Sequence, residues 1–353
     1  MPGTIVNHPT TAGLVRHPST LDINHPASGG ATNHPAGFSG NFAQLVTSIG
    51  LTALQVTQSD LGGTYGGTLL DTGGAGPVCT LTGTLNAALP FVPLLLKCTL
   101  GGALGVWTWS LYSDGGTTPF QTGTSAAGPT ALTGAAAGLS LSIAAGVAVL
   151  NNTWNATLAA WADQSGNGNH WSQATPAKQF KITTGINGKP GLLSDGVNDL
   201  MTAALALPAP GTTPSWHGLV CRVVTWTSSG VITSDASGNS GLLFMNAVTP
   251  LVRAFNATGG TQQSVVVNTW ECTEAGFTNS VNDYIRRGSN AASAGTILGN
   301  NASASRTLAG LASSNFGNVE FVHQVVTNTI PNATQIAAWR AAVTSFYGST
   351  VQV

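Results

Sequence analysis

Short apolar runs cut by glycine govern this sequence. Between residues 41 and 156 it reads GPVCTLTGTL, FVPLLLKCTL, GVWTWSLYS, DGGTTPF and AGLSLSIAAGVAVL, a few apolar residues at a time closed by a turn-forming cluster. Runs of that length bounded by Gly, Asp and Ser suit strands, whereas helices need longer segments with apolar residues three and four apart. Trp107 and Trp109 alternate with Thr108 and Ser110, which sets both indoles on one face of a strand and makes them core. The same texture returns in SWHGLVCRVVTW, GLLFMNAV, QSVVVNTWECTEAGF and FVHQVVTNT. Only PNATQIAAWRAAVTSFYG has helical spacing, with Ile336, Trp339, Val343 and Phe346 on one stripe, Pro331 near its start and Gly348 just past its end. The expected fold class is all-β with one terminal helix.

Charge narrows the partners. Asp, Glu, Lys and Arg make up 7% of the 353 residues and the formal net charge is -1, against about a quarter charged in ordinary soluble domains. The basic residues are scattered apart from Arg286 and Arg287. Counterion release at phosphates needs a cluster of them, so nucleic acid is not an expected partner. ALPFVPLLLKCTL is too short and LTGAAAGLSLSIAAGVAVL too rich in Gly, Ala and Ser for a membrane span, so no membrane insertion is expected. MPGTIVNHPTT has neither the basic nor the apolar region of a secretory signal, and export by that route is not expected.

The first forty residues carry a repeat, VNHP, VRHP, INHP and TNHP, in which His8, His17, His25 and His34 precede Pro9, Pro18, Pro26 and Pro35. Proline biases its predecessor away from helix and donates no ladder hydrogen bond, so residues 1–40 read as an extended arm. An arm without a core becomes ordered by lying on something else, and Val6, Val15 and Ile23, two places before the first three histidines, look like copies of one docking contact. The four histidines are also weak metal candidates, especially where arms of several subunits meet.

Cys79, Cys98, Cys221 and Cys272 show no zinc-type spacing. They divide evenly between the halves of the chain, which leaves open both buried free thiols and two intradomain disulfides.

The stretch WADQSGNGNHWSQ, residues 161–173, concentrates turn chemistry between two tryptophans. Glycine takes positive φ without strain, Asn tolerates it, and Asp163 with the Asn amides is expected to hold a turn whose Trp161 and Trp171 cover the edge of the core.

Two resemblances organise the chain. TLGGALGVWTWSLYSDGGTTPFQTG followed by LTGAAAGLSLSIAAGVAVLNNTW resembles a small β-domain of tailed-bacteriophage structural proteins. From residue 157 onward, Asp163, Ser165, Gly166, Asn167, Gly168 and Asn169, then Gly188, Pro190, Asp195, Gly196 and Asp199, resemble the opening motifs of a concanavalin A-like, laminin-G-like jelly roll. The implied domains are an arm at 1–40, a small β-sandwich-like domain at 41–156 and a jelly roll with its terminal helix at 157–353. Related sandwiches sometimes bind calcium, which makes Asp195 and Asp199 weak ligand candidates; no other cofactor is expected.

Catalytic signatures are missing. A glycoside hydrolase needs two carboxyl groups flanking the scissile bond, yet Glu320 stands alone in NVEFVHQVV, Glu271 and Glu274 flank Cys272 without a partner motif, and His323 is expected to face away from Glu320. The resemblances instead imply a non-enzymatic phage virion protein that decorates capsid, neck or collar, is anchored by its arm and carries a lectin-like domain. It would be assembled in the host cytoplasm as a homo-oligomer, with capsid, neck or portal-vertex proteins as partners and glycans as possible ligands. The alternatives are a carbohydrate- or host-receptor-binding protein and, last, a glycosidase.

Overall fold

The computed structural model describes residues 41–353 except 73, 88, 207–213, 227–228, 236–241, 247–249, 257–258, 279–282, 296–304 and 312–313, together with the backbone of Ile5–Asn7 and Leu14–Arg16. Those two short strands pair antiparallel, with Val6 at the register position of Val15. The docking and metal assignments at His8, Pro9, His17, Pro18, His25, Pro26, His34 and Pro35 lie outside the described residues.

The protein is all-β, as its pattern predicts. Its sandwich is built around the eleven-residue strand Ser215–Thr225, flanked antiparallel by Glu271–Phe277 and Asn318–Thr327. Alternation along this strand sorts its two faces. Leu219, Cys221 and Val223 enter the core between the sheets, while Trp216 and Val220 point to the other side. There they meet helix α1 (Phe42–Ser48) and helix α2 (Ala333–Tyr347), which lay Phe42, Leu45, Trp339, Val343 and Phe346 over the sheet. A capping box between Asn332 and Gln335 starts α2, and the Gln335 amide also donates to Ile49 O at 2.7 Å, tying the two helices together. Gly348 ends α2 at φ 90°.

The division at residue 156 requires correction at its N-terminal side. Strand Ala53–Gln58 pairs with Asn318–Thr327, and Gly63–Tyr65 pairs with Thr157–Trp161. Residues 41–65 therefore belong to the sandwich, and the small β-domain is an insert after residue 65. It holds a five-stranded sheet in the order Pro119–Thr124, Thr108–Tyr112, Leu95–Leu100, Thr153–Asn155, Leu70–Asp71, a three-stranded sheet, and a ribbon of Gly102–Ala103 against Val147–Ala148. Trp107 and Trp109 are both buried, and Trp107 stacks on Trp154 with ring centroids 5.5 Å apart. Gly123 is required beside them, since a Cβ there would stand 2.4 Å from Trp109 Cζ2.

All four cysteines are buried free thiols, so the structure contains neither disulfide. Register gives the reason in the sandwich. Cys221 lies opposite Glu271 and Cys272 opposite Val220, a one-residue offset that puts the two thiols on opposite faces of the sheet. In the insert, Cys79 and Cys98 sit in different sheets.

Candidate functional site

The turn at 161–173 works as a clamp on a distant strand. Asp163 accepts from Val56 N at 3.0 Å, Ser165 N at 2.9 Å, Ser165 Oγ at 2.8 Å and Asn169 N at 3.0 Å, while its own N–H donates to His170 Nδ1 at 2.9 Å. Asn167 Nδ2 donates to Ala53 O and Leu54 O, Asn169 Nδ2 donates to Leu54 O, and Gln55 Nε2 donates back to Asn169 O. Gly166 and Gly168 take φ of 86° and 73°, which glycine adopts without strain. Trp161 lies opposite Trp171 across the strand pair, and both are buried. The polar atoms that could have met a ligand are committed to the strand Ala53–Gln58.

Asp195 and Asp199 face backbone too. Asp195 Oδ1 accepts from Val197, Asn198 and Asp199 N–H groups, and Asp199 Oδ2 accepts from Asp195 N at 3.0 Å. Among the described residues no three His, Cys, Asp or Glu side chains group as metal ligands. Burial, and secondarily the Asp195 charge, push the Asp199 carboxyl up to about 7. The folded state then holds a proton that the unfolded chain has already released, so stability falls as pH rises between about 4 and 7 and levels off above. Asp199→Asn should remove that slope, a difference on the order of 3 kcal/mol between pH 4 and pH 7. Urea midpoints at both pH values check it, and parallel curves for the two proteins would refute it.

The chain has three glutamates, and each is ion-paired to an arginine. Glu271 meets Arg287 at 2.5 Å, Glu274 meets Arg340, and Glu320 meets Arg222 at 2.6 Å while also accepting from Thr183 Oγ1. Arg222 in turn lies over the Trp270 ring, 5.3 Å from its centroid. Glu320 and His323 do not face opposite ways as strand alternation suggests. A register shift sets His323 against Val220 and Glu320 against Arg222, so a bulge turns both to the helix side. They still form no pair, because His323 Nδ1 contacts Thr57 O at 3.0 Å and its Nε2 accepts from Trp339 Nε1. Burial pushes His323 down to about 3, which keeps it neutral.

A cavity of about 110 Å³ lies between Gly63–Tyr65 and the three-stranded sheet, with Leu81, Thr84 and Leu139 in its lining. Ligand pockets are usually roughly 300 Å³ or more. No charged side chain lines it, and the Tyr65 hydroxyl is spent on Val92 O at 2.6 Å.

The surface feature that stands apart is on the insert. Val78, Leu100, Val106, Val147, Val149 and Leu150 are each 55–63% exposed. The ribbon gathers most of them. Val147 pairs with Ala103 and Ala148 with Gly102; a Cβ on Gly102 would lie 3.0 Å from Val106 Cγ1, and one on Gly101 would lie 3.1 Å from Leu150 N. The backbone of Val78 joins through Ala144 N, which donates to Val78 O at 2.9 Å. Between residues 66 and 156 only Asp71, Lys97 and Asp114 carry charge. These exposed aliphatic side chains on so neutral a surface set this face of the insert apart. Composition showed the neutrality, but which aliphatic side chains stay outside could be read only after the strands were paired.

These features define a β-sandwich with a β-rich insert. No family model matches the sequence, and no curated protein matches it. Among solved structures the chain is similar to an arabinofuranosidase complexed with arabinofuranosyl-α-1,2-xylobiose, at 13% identity and TM-score 0.46 over 88% of this chain and 66% of that one. It is also similar to the binding domain of botulinum neurotoxin serotype G, at 11% identity and TM-score 0.39 over 51% of this chain. The match spans about half of that toxin domain, 48%. Likenesses at this level carry no statement about activity or ligand. No helix among the described residues is long and apolar enough to cross a membrane.

Proposed function

We propose that this chain is a non-enzymatic structural protein of a tailed-phage particle, a decoration of capsid, neck or collar that docks through its first forty residues and its insert and holds the sandwich outward, where it can meet glycans. The observation that supports this reading most is the exposed aliphatic cluster on an insert with three charged residues. Such a surface is poorly suited to a free monomer and well suited to burial in an assembly. Pairing of all three glutamates with arginine speaks against Glu271, Glu274 and Glu320 as the carboxyls of a glycoside hydrolase, which needs one free to give a proton and another to act opposite it.

The test is gradient purification of particles made by the source of this sequence, followed by mass spectrometry. The protein should band with the particles in several copies and resist a salt wash, since its contacts are apolar. Its absence from banded particles would end the reading. Binding of the purified chain to an immobilised glycan array, combined with that absence, would favour a free glycan- or receptor-binding protein instead.

A further inference from the structure

We propose that one end of the sandwich opens in acid and that His217 is the trigger, because that end can stay closed only around a neutral imidazole.

The topology gathers five strand ends there. Ser215–Thr225, Asp283–Arg287 and Arg306–Leu308 begin at this end, and Val231–Asp235 and Glu271–Phe277 finish at it. His217 is the third residue of its strand and shares the inner face with Leu219, Cys221 and Val223. Its ring stands at right angles to Phe277, with centroids 5.3 Å apart. The side chain is 0% exposed, yet neither Nδ1 nor Nε2 has a hydrogen-bond partner. His323 is equally buried but has a polar contact at each ring nitrogen.

The surroundings exclude a cation. Strand Arg306–Leu308 brings the fully buried Arg306, whose charge acts on His217 and whose Nη2 donates to Thr233 Oγ1 at 3.3 Å. The carboxylates of this end are engaged elsewhere. Asp235 lies at the register position of Arg306 and acts on that arginine, while Asp283 accepts from the N–H and hydroxyl of Thr278. The neighbouring strands place Ala275 and Val326 opposite His217, with the uncharged Gln55 beyond Val326. An imidazolium would therefore stand beside a like charge with no acceptor of its own. Burial, and secondarily the Arg306 charge, hold His217 well below the usual histidine range.

Opening resolves both problems. Once exposed, the ring gains hydrogen bonds to water, leaves Arg306 and titrates as histidines in solution do, near about 6.5. Below that pH the open form binds a proton that the closed form does not, so closure is complete above about 7 and is lost as pH falls. Strand ends open at lower free energy than strand centres, which confines the response to this end.

Hydrogen exchange of the full chain, read by mass spectrometry at about pH 7.5 and 5.5 and corrected for intrinsic rates, tests the proposal. Protection in 215–219, 273–277 and 306–308 should fall about tenfold at the lower pH, the factor by which proton uptake favours an exposed histidine there. The middle of Asn318–Thr327, beside His323, should keep its protection. His217→Leu and His217→Gln cannot titrate and should abolish the fall, and either suffices where the other does not fold. Equal protection of this end at both pH values overturns the proposal. So does a fall spread evenly over the whole sheet, or one that persists in the variants.

Discussion

Asp163→Ala should destabilise the protein by about 4 kcal/mol. The carboxylate is 8% exposed and accepts four hydrogen bonds, of which one comes from Val56, 107 residues earlier in the chain. Alanine leaves the Val56 and Asn169 N–H groups without an acceptor in a place water reaches poorly, and buried donors stranded in this way cost about 1–3 kcal/mol each. The loss also loosens strand Ala53–Gln58, whose remaining ties to the turn run through the Gln164 N–H to Val56 O at 2.7 Å and through Ser165, Asn167, Asn169 and Gln55. Asp163→Asn keeps an acceptor but turns an NH₂ toward one or more of these donors, so its effect should fall between the two. Urea denaturation followed by tryptophan fluorescence measures the series. A cost below about 1 kcal/mol for Asp163→Ala would show that the clamp is ornamental.

Arg287→Met alone should cost about 3–5 kcal/mol, while the same change combined with Glu271→Leu should cost far less. The pair is almost completely buried, with side chains 0% and 3% exposed. Removing the guanidinium strands a carboxylate on the inner face of the sheet, beside Cys221 and Thr273. Replacing both removes two desolvated charges together and lets apolar side chains fill the space. A double-mutant cycle by chemical denaturation reads the coupling. Single and double variants that lose stability additively would refute a buried, mutually dependent pair.

How far the sequence foretold this structure depends on the range of the interaction. Turns and periodicity are local, and they announced the strands of the insert, the shared face of Trp107 and Trp109, the SGNGN turn and the terminal helix with its glycine stop. Register is not local. Nothing in NFAQLVTSIGLTALQVTQ says that its strand will lie beside Asn318–Thr327, so the local pattern does not show that residues 41–65 belong with the sandwich. The same gap explains the cysteines, whose opposite faces follow from a one-residue offset between paired strands, and the orientation of Glu320 and His323, which follows from a bulge that no residue pattern marks. At the candidate site, low charge was visible in composition. The exposed ribbon was hidden, because valines and leucines inside and outside a β-domain look alike until the sheet is built.

The pairing of Ala53–Gln58 with Asn318–Thr327 has a consequence for how the molecule is made. His323 touches the carbonyl of Thr57 across 266 positions of chain, so the sheet cannot close until nearly the whole polypeptide has left the ribosome. The insert, whose sheets are completed by strands between Leu70 and Asn155, is free to form while synthesis continues. The early strand must wait with its apolar face uncovered, and closing so long a loop makes the last step slow. Chains cut short before residue 318 should therefore be trapped by chaperones or aggregate, with a finished insert on an open sandwich.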